Sequence, residues 1–306
     1  MKQLVNVENL TVKFGDFYAV NNISFKVTQG EIFGFLGANG AGKTTTIRVL
    51  CGLLRPTAGI IVINGKKISA GQEQVIKKMV GYMSQRFTLY DDLTIEENLS
   101  FAASLRQLPN KFFQKRKKQL LDFISFNKDQ STIVSELPGG LKQEIALVAA
   151  MLHDPIIIFL DEPTAGVAPV ARIKFWELIR QLSTEGKTVF VTTHYMDEAE
   201  NCSRIALMRA GNLIALDEPA NLKKMTYQQQ MYSLTPKNQE AASFITANSN
   251  QYFSMFEPYG MHFHILLKPN LDKKNTLAFL SEYCLVKEIE PSLEDVFVKL
   301  VEGATR

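Results

Sequence analysis

Hydrophobic positions are spaced in three distinct ways along the chain. Between residues 4 and 28 they recur at Leu4, Val7, Leu10 and Val12, then at Val20, Ile23, Phe25 and Val27, with a Gly15-Asp16 turn between the two sets. That spacing predicts an antiparallel sheet buried on one face. Unbroken apolar runs at 32–36 and 156–160, and a β-branched run at 188–193, predict strands of a parallel sheet covered on both faces. A further strand at 60–63 enters an Asn64-Gly65 turn of type I′, and another at 79–83 ends at Ser84-Gln85. From about 88 to 150 the period becomes helical. The segment 110–126 sets Lys111, Lys115, Arg116, Lys117 and Lys118 against Phe112, Leu120, Leu121 and Ile124, and an apolar helix covers 145–152. The fold class is therefore α/β with an antiparallel β subdomain and a helical subdomain.

Beyond Lys223-Lys224 the pattern changes again. Strand (229–234), helix (237–247), two strands (252–256 and 261–267), helix (275–283), strand (285–289) and a final helix follow in order, as in a small ferredoxin-like α+β unit. Ser292 and Asp295 have capping-box spacing before the stripe Leu293, Val296, Phe297 and Leu300. His262 and His264 share one side of a strand and are expected on a solvated face. The expected domains are 1–222, with the helical subdomain at about 88–150, and an accessory α+β domain at 227–306.

With 46% hydrophobic and 21% charged residues among 306, the chain has globular composition. No run approaches the 18 to 20 apolar residues of a membrane span, and no secretory signal is expected from the first residues. Cys51, Cys202 and Cys284 are odd in number and lack ligand spacing, which suits a reducing compartment. A net charge of +3 is too small to imply nucleic acid as a partner.

The strand at 32–36 runs into Gly37, Ala38, Asn39, Gly40, Ala41, Gly42, Lys43, Thr44, the phosphate-loop pattern without a mismatch, and a helix-like segment follows at 44–53. The glycines allow backbone N–H groups to converge on phosphate oxygens at a helix N-terminus. Lys43 is placed for β- and γ-phosphates and the Thr44 hydroxyl for Mg²⁺. Asp161 at the tip of its strand is placed to hold Mg²⁺ through water, and Glu162 to take a proton from an attacking water. His194 is delivered to the same end of the sheet. Gln85 either coordinates the metal or a water, or is a surface residue. Phe14 either stacks on an adenine ring or belongs to the core. Gly139 and Gly140, at a helix start after Pro138, make a second potential anion site.

Taken in order, these residues resemble the nucleotide-binding subunit of ATP-binding cassette (ABC) transporters over about residues 1–222. The resemblance implies a P-loop NTPase core that binds and hydrolyses ATP with Mg²⁺. It implies that Phe14 is the adenine-stacking aromatic, that residues 37 to 45, including Thr45, form the Walker A loop, and that Gln85 is the Q-loop glutamine, a Mg²⁺ ligand coupled to the membrane domain. It makes Pro138, Gly139 and Gly140 part of the signature, Asp161 the Walker B aspartate, Glu162 the catalytic glutamate and His194 the switch histidine. The partners it implies are a transmembrane permease subunit and a second cassette. The expected location is peripheral, at the cytoplasmic side of the inner (plasma) membrane. The runs Thr193-His194-Tyr195-Met196-Asp197-Glu198-Ala199-Glu200 and Pro291-Ser292-Leu293-Glu294-Asp295-Val296-Phe297 are similar to drug, multidrug or polysaccharide exporters of the ABC-2 type.

Three positions depart from the family pattern: Pro138 replaces the signature serine, Glu144 an arginine, and Ala168 the D-loop aspartate. Pro138 offers no hydroxyl, and Glu144 is expected to place unfavourable negative charge in the helix that faces a triphosphate. Intact Walker A and Walker B elements beside a weakened signature lead to the expectation of an asymmetric sandwich with a different cassette. A homodimer that hydrolyses slowly is the alternative. The accessory domain is expected to assist dimerisation or regulation.

Overall fold

The computed structural model describes residues 2–68, 73–85 and 89–303. The chain divides into two compact units, Met1–Pro219 and Ala220–Arg306. In the first, β1 (Gln3–Phe14) and β2 (Phe17–Thr28) form the predicted antiparallel hairpin, Phe14 facing Phe17 across the turn. β3 (Ile32–Leu36) leads through the glycine-rich loop into α1 (Lys43–Leu50). β4 (Ala58–Ile63) pairs with β1, and Asn64 and Gly65, at φ 49° and 74°, turn it into the short β5 (Lys66–Lys67), as the Asn-Gly pair predicts. Next come α2 (Glu73–Met79), β6 (Val80–Met83), α3 (Ile95–Leu105), α4 (Asn110–Phe123) and α5 (Gly139–Met151). Then follow β7 (Ile157–Asp161), α6 (Pro169–Thr184), β8 (Thr188–Thr193), the one-turn α7 (Met196–Ala199) and the hairpin of β9 (Arg204–Arg209) and β10 (Asn212–Asp217). α8 (Pro219–Thr226) spans the boundary.

Two sheets result. One has the order β2-β1-β4-β5 and is antiparallel; the other has the order β10-β9-β3-β8-β7-β6 and is parallel apart from β10. Because β3, β8, β7 and β6 are successive neighbours, the residues that follow their carboxyl ends emerge side by side. β3, β7 and β8 are buried along their whole length, which accounts for their unbroken apolar runs. Phe159 stacks on Phe190 with centroids 4.6 Å apart, and Phe25 of the antiparallel sheet stacks on Phe33 of the parallel one at 5.4 Å. Each such ring contributes about 1.5 to 3 kcal/mol by leaving water.

The helical stretch differs from its expectation in detail. Thr88 lies outside the described residues, and the first helix, α3, starts at Ile95 behind a capping box made by Thr94 and Glu97. α5 begins at Gly139, six residues before the apolar run at 145–152, so Gly139 and Gly140 form its first turn. On α4, Lys111, Lys115 and Lys118 face solvent as expected. Phe112, however, is exposed, and Phe113 takes its place in the apolar stripe. Lys117 is buried and pairs with Glu96, whereas Arg116 pairs with Asp154 at 2.9 Å. α2, α6, α7 and the β9–β10 hairpin lie outside the elements that the pattern predicts.

The second unit contains β11 (Met231–Pro236), α9 (Gln239–Ala247), the single turn α10 (Ser249–Tyr252), β12 (Phe253–Tyr259), β13 (His262–Leu267), α11 (Lys273–Tyr283), β14 (Cys284–Ile289) and α12 (Leu293–Gly303). Its sheet runs β12-β13-β11-β14 with every neighbour antiparallel, the ferredoxin-like order. Ser292 and Asp295 form the expected reciprocal cap of α12. The two histidines do not share a solvated face. His262 is exposed and bonds Thr235 Oγ1, whereas His264 is buried with Nδ1 2.9 Å from Asp295 Oδ1 and Tyr259 stacked on its ring. The final helix covers that face of the sheet, which the strand's own alternation could not reveal.

α6 starts from Ala168 in extended geometry (φ −60°, ψ 148°), with Pro169 at its first position and no side-chain cap. Ala168→Asp supplies both an acceptor for the first N–H groups and a negative charge at the positive helix end. It is expected to stabilise the protein by about 1 kcal/mol, read as a higher urea midpoint with an unchanged slope.

Candidate functional site

The loop between β3 and α1 can be built only with glycine at two places. A Cβ on Gly37 would lie 2.2 Å from the Met208 carbonyl oxygen, and one on Gly42 would lie 2.5 Å from that of Ala19. Gly42 also sits at φ 105° and starts α1 without a side-chain cap, leaving the N–H groups of the first turn to a polar partner from outside the helix. Beneath the loop, Lys43 is buried. Its Nζ donates to the carbonyl oxygens of Gly37 (2.7 Å) and Ala38 (3.1 Å), and stands 3.8 Å from Glu162 Oε1. Burial lowers its pKa, and the charges of Glu162 and Asp161 partly offset that.

Asp161 ends β7 with one side-chain oxygen doubly bonded. Oδ1 accepts from Thr192 Oγ1 at 2.6 Å and from Thr44 Oγ1 at 3.0 Å, while Tyr82 donates to Oδ2 at 3.4 Å. Burial, and the Asp161 charge after it, push the Tyr82 hydroxyl up to about 12, so Tyr82 stays a donor at neutral pH. Glu162 adopts φ 50°, uncommon for a residue with a Cβ, and its N–H donates to Thr192 Oγ1 at 2.9 Å. That turn aims its carboxylate back over the sheet edge. Gln85 Nε2 donates to Glu162 Oε2 at 3.0 Å. His194 Nδ1 stands 3.3 Å from the same oxygen, out of line for a hydrogen bond, and is left as a buried polar atom without a partner.

The structure thus brings Lys43, Thr44, Gln85, Asp161, Glu162 and His194 together within contact distances. A cleft of about 410 Å³ joins them to the hairpin: Phe14, Phe17, Ala19, residues 39–45, Gln85 and Glu162 line it. Phe14 is 53% exposed and belongs to no core, and Phe17, which the sequence reading missed, is 64% exposed beside it. Their adjacency follows from the tight turn, since Phe14 pairs with Phe17 in the strand register. The sequence reading also missed Thr192 and Tyr82, whose roles depend on contacts 31 and 79 residues distant.

Pro138 caps α5 with no side-chain hydrogen bond, and Gly139 and Gly140 open its first turn. Gly140 packs so closely on α6 that a Cβ there would meet the Ala171 Cβ at 2.6 Å. The expectation for Glu144 is corrected: its carboxylate is buried and paired, with both oxygens 2.8 Å from Lys174 Nζ, which also donates to the Ile124 carbonyl at 3.2 Å. The neighbouring ammonium neutralises the charge that would have opposed an anion at the N-terminus of α5.

The donor set suits a hard divalent cation. Thr44 and Asp161 offer oxygen atoms already bonded to each other, and Gln85 brings a side-chain amide to the same carboxylate pair. Among the described residues no group of three or more His, Cys, Asp or Glu is arranged to hold a metal by itself.

A strand, a glycine loop buttressed by a buried lysine and a carboxylate pair at the tip of a second strand of the same sheet define a P-loop nucleotide-binding protein. The family model for ABC transporters matches residues 20–165. Over 220 residues, 72% of this chain, it is 43% identical to the protein named probable multidrug ABC transporter ATP-binding protein YbhF of Escherichia coli, and spans 38% of that relative's length. It is 38% identical over 216 residues to Nod factor export ATP-binding protein I of Burkholderia lata, covering 70% of this chain and 71% of the relative. The protein of the same name from a Rhizobium species is 31% identical over 306 residues, covering 98% of this chain and 97% of the relative. Among solved structures, an ATP-binding subunit of an ABC transporter is 28% identical with a TM-score of 0.64, covering 72% of this chain and 92% of that one. A dimeric ATP-binding cassette in a post-hydrolysis state bound to ADP and Pi is 26% identical with a TM-score of 0.63, covering 70% and 98%. The chain belongs to the ABC transporter family, and its first unit has the fold of an ATP-binding cassette.

Thr192 is the shortest donor to Asp161, and both groups are buried. Thr192→Val keeps the shape and removes the donor, so it is expected to cost about 1.5 to 3 kcal/mol of stability, measured by urea unfolding.

Proposed function

We propose that this chain is the ATP-binding and ATP-hydrolysing subunit of an ABC-2 type exporter and energises a separate transmembrane permease. The observation that carries the reading is the convergence of Lys43, Glu162, Gln85 and His194, each delivered by a different neighbouring element and all meeting around one carboxylate. The assignment to export rests on relatives named for multidrug transport and Nod factor export. Residues 1–222 are the cassette and 227–306 an accessory α+β domain that assists dimerisation or regulation. Among the described residues no helix is long and apolar enough to cross a membrane, in keeping with peripheral attachment at the cytoplasmic face of the inner (plasma) membrane through the permease.

In this reading Phe14, with Phe17 beside it, offers an aromatic face to the adenine ring. The N–H groups of residues 37–45 surround the phosphates, and Lys43 exchanges its loop carbonyls for phosphate oxygens. Thr44 and Gln85, with Asp161 acting through water, would hold Mg²⁺, which supplies charge neutralisation on the phosphates. Glu162 accepts a proton from the attacking water, and its positive-φ backbone turn fixes the carboxylate where that water must lie. His194, with Nδ1 3.3 Å from Glu162 Oε2, is the switch residue that senses the γ-phosphate. Gly139 and Gly140 of a second cassette complete the site across a head-to-tail dimer.

Glu162→Gln preserves the acceptor for Gln85 and removes the base. Steady-state hydrolysis by the purified chain should fall to the limit of detection, while ATP affinity stays within about twofold. Wild-type turnover in that variant would refute the assigned base. No hydrolysis by the unaltered chain or by its complex with the permease would refute the ATPase reading.

A second reading, a weakly hydrolysing cassette in an asymmetric dimer, is favoured by the cap at Pro138, which has no hydroxyl to offer. It predicts that Pro138→Ser raises turnover of the chain alone by about tenfold to a hundredfold, the worth of one hydrogen bond to a charged group. Little change would favour a self-sufficient homodimer.

A further inference from the structure

Beside the site lies a second buried carboxylate. Glu198, on α7, is 2% exposed, yet it is bonded on both oxygens: Oε1 accepts from Thr164 Oγ1 at 2.6 Å and Oε2 from Thr193 Oγ1 at 2.9 Å. Arg172 of α6 approaches Oε1 with its Nε at 3.3 Å. The two threonines are not arbitrary anchors. Thr164 follows Glu162 by two residues, and Thr193 directly precedes His194. Glu198 therefore joins the two chain segments that carry the proposed base and the switch histidine.

Arg172 reinforces the junction from the other side. Its guanidinium lies over the Tyr195 ring at 4.5 Å, and Tyr195 packs against the His194 ring with centroids 4.1 Å apart. Thr193 Oγ1 in turn accepts the Tyr195 N–H at 2.9 Å, closing a ring of contacts around His194. A buried carboxylate of this kind is a poor way to gain stability, because desolvation consumes most of what the ion pair returns. What it does supply is directional: two fixed hydroxyl donors and a cation stacked on Tyr195 hold two strand ends at one separation.

We propose that Glu198, held by Arg172, is a positioning residue that sets the distance between Glu162 and His194. It acts by fixing Thr164 and Thr193. This rests on the ATPase reading above. Glu198→Gln removes the charge that attracts Arg172 and gives one of the threonines an amide instead of an acceptor. Thr164→Val removes one donor at constant shape, and Thr164→Ser restores it.

The test is steady-state ATP hydrolysis by the full chain carrying Glu198→Gln, Thr164→Val or Thr164→Ser, with thermal unfolding of each. Misplacement of reacting groups is costly, so Glu198→Gln and Thr164→Val should lower kcat about tenfold or more, leave KM for ATP within about twofold, and stay folded at the assay temperature, whereas Thr164→Ser keeps the wild-type rate. Wild-type kcat in both Glu198→Gln and Thr164→Val overturns the proposal, as does an equal loss in Thr164→Ser and Thr164→Val. A separate measurement does not depend on turnover: the side-chain NMR resonances of His194, assigned with His194→Gln, should move in Glu198→Gln. If they stay in place, the positioning role falls whether or not the chain hydrolyses ATP. If they move while wild type and Glu162→Gln hydrolyse equally slowly, positioning stands and the ATPase reading falls.

Discussion

One buried ammonium sets the terms for the rest of the site. Lys43 is almost wholly removed from water beneath its loop, and isolated burial of a charge costs several kcal/mol. The loop meets that cost by turning two carbonyl oxygens inward, which is possible only because Gly37 and Gly42 pass where a Cβ would strike the backbone of Met208 and Ala19. The tip of β7, one strand further on, meets it with Glu162 and Asp161, whose charges raise the lysine pKa against the pull of burial. Sheet order follows as a requirement: β7 must lie close enough to β3 for its tip to reach Lys43, and the single intervening strand, β8, then places Thr192 and His194 between them.

That dependence explains how much could be read from sequence. The glycine loop, the apolar strands and the residues that end them are local signals, and Lys43, Thr44, Asp161, Glu162 and His194 meet where their strands imply. Once the Gly15-Asp16 turn had fixed the first hairpin, Phe14 had to lie near its tip. The partners of these residues were not legible, because nothing adjacent marks them. Thr192 and Tyr82 look like ordinary strand residues until β8 and β6 are laid beside β7. Phe17 became visible only through its register with Phe14. His264 seemed solvated because the strand period says which residues share a face and not which face a later helix will cover; Asp295 settles it from 31 positions away. Glu198 stands in an acidic run that nothing adjacent marks as buried, and its partners Thr164, Thr193 and Arg172 come from other elements.

The same long-range logic alters what the three departures from the family pattern mean. Judged by position along α5, Glu144 places a negative charge in the second turn of a helix whose N-terminus ought to attract anions. In space its charge is directed sideways into Lys174, so the departure is compensated within the chain. Pro138 and Ala168 have no such compensation. Each stands at a helix start, each leaves the first turn without a side-chain acceptor, and the two helices they begin are in close contact at Gly140 and Ala171. Losing a cap weakens the hold on a helix end but leaves its N–H groups, and the partial positive charge they carry, in place. What these two residues remove is therefore side-chain contact at the surface formed by α5 and α6, and what they leave is the backbone electrostatics. A chain of this kind keeps full chemical equipment on its strand tips and offers a partner mainly backbone donors from its helix starts, so any inequality between two composite sites would arise at the helix starts, with the carboxylates of β7 unaffected.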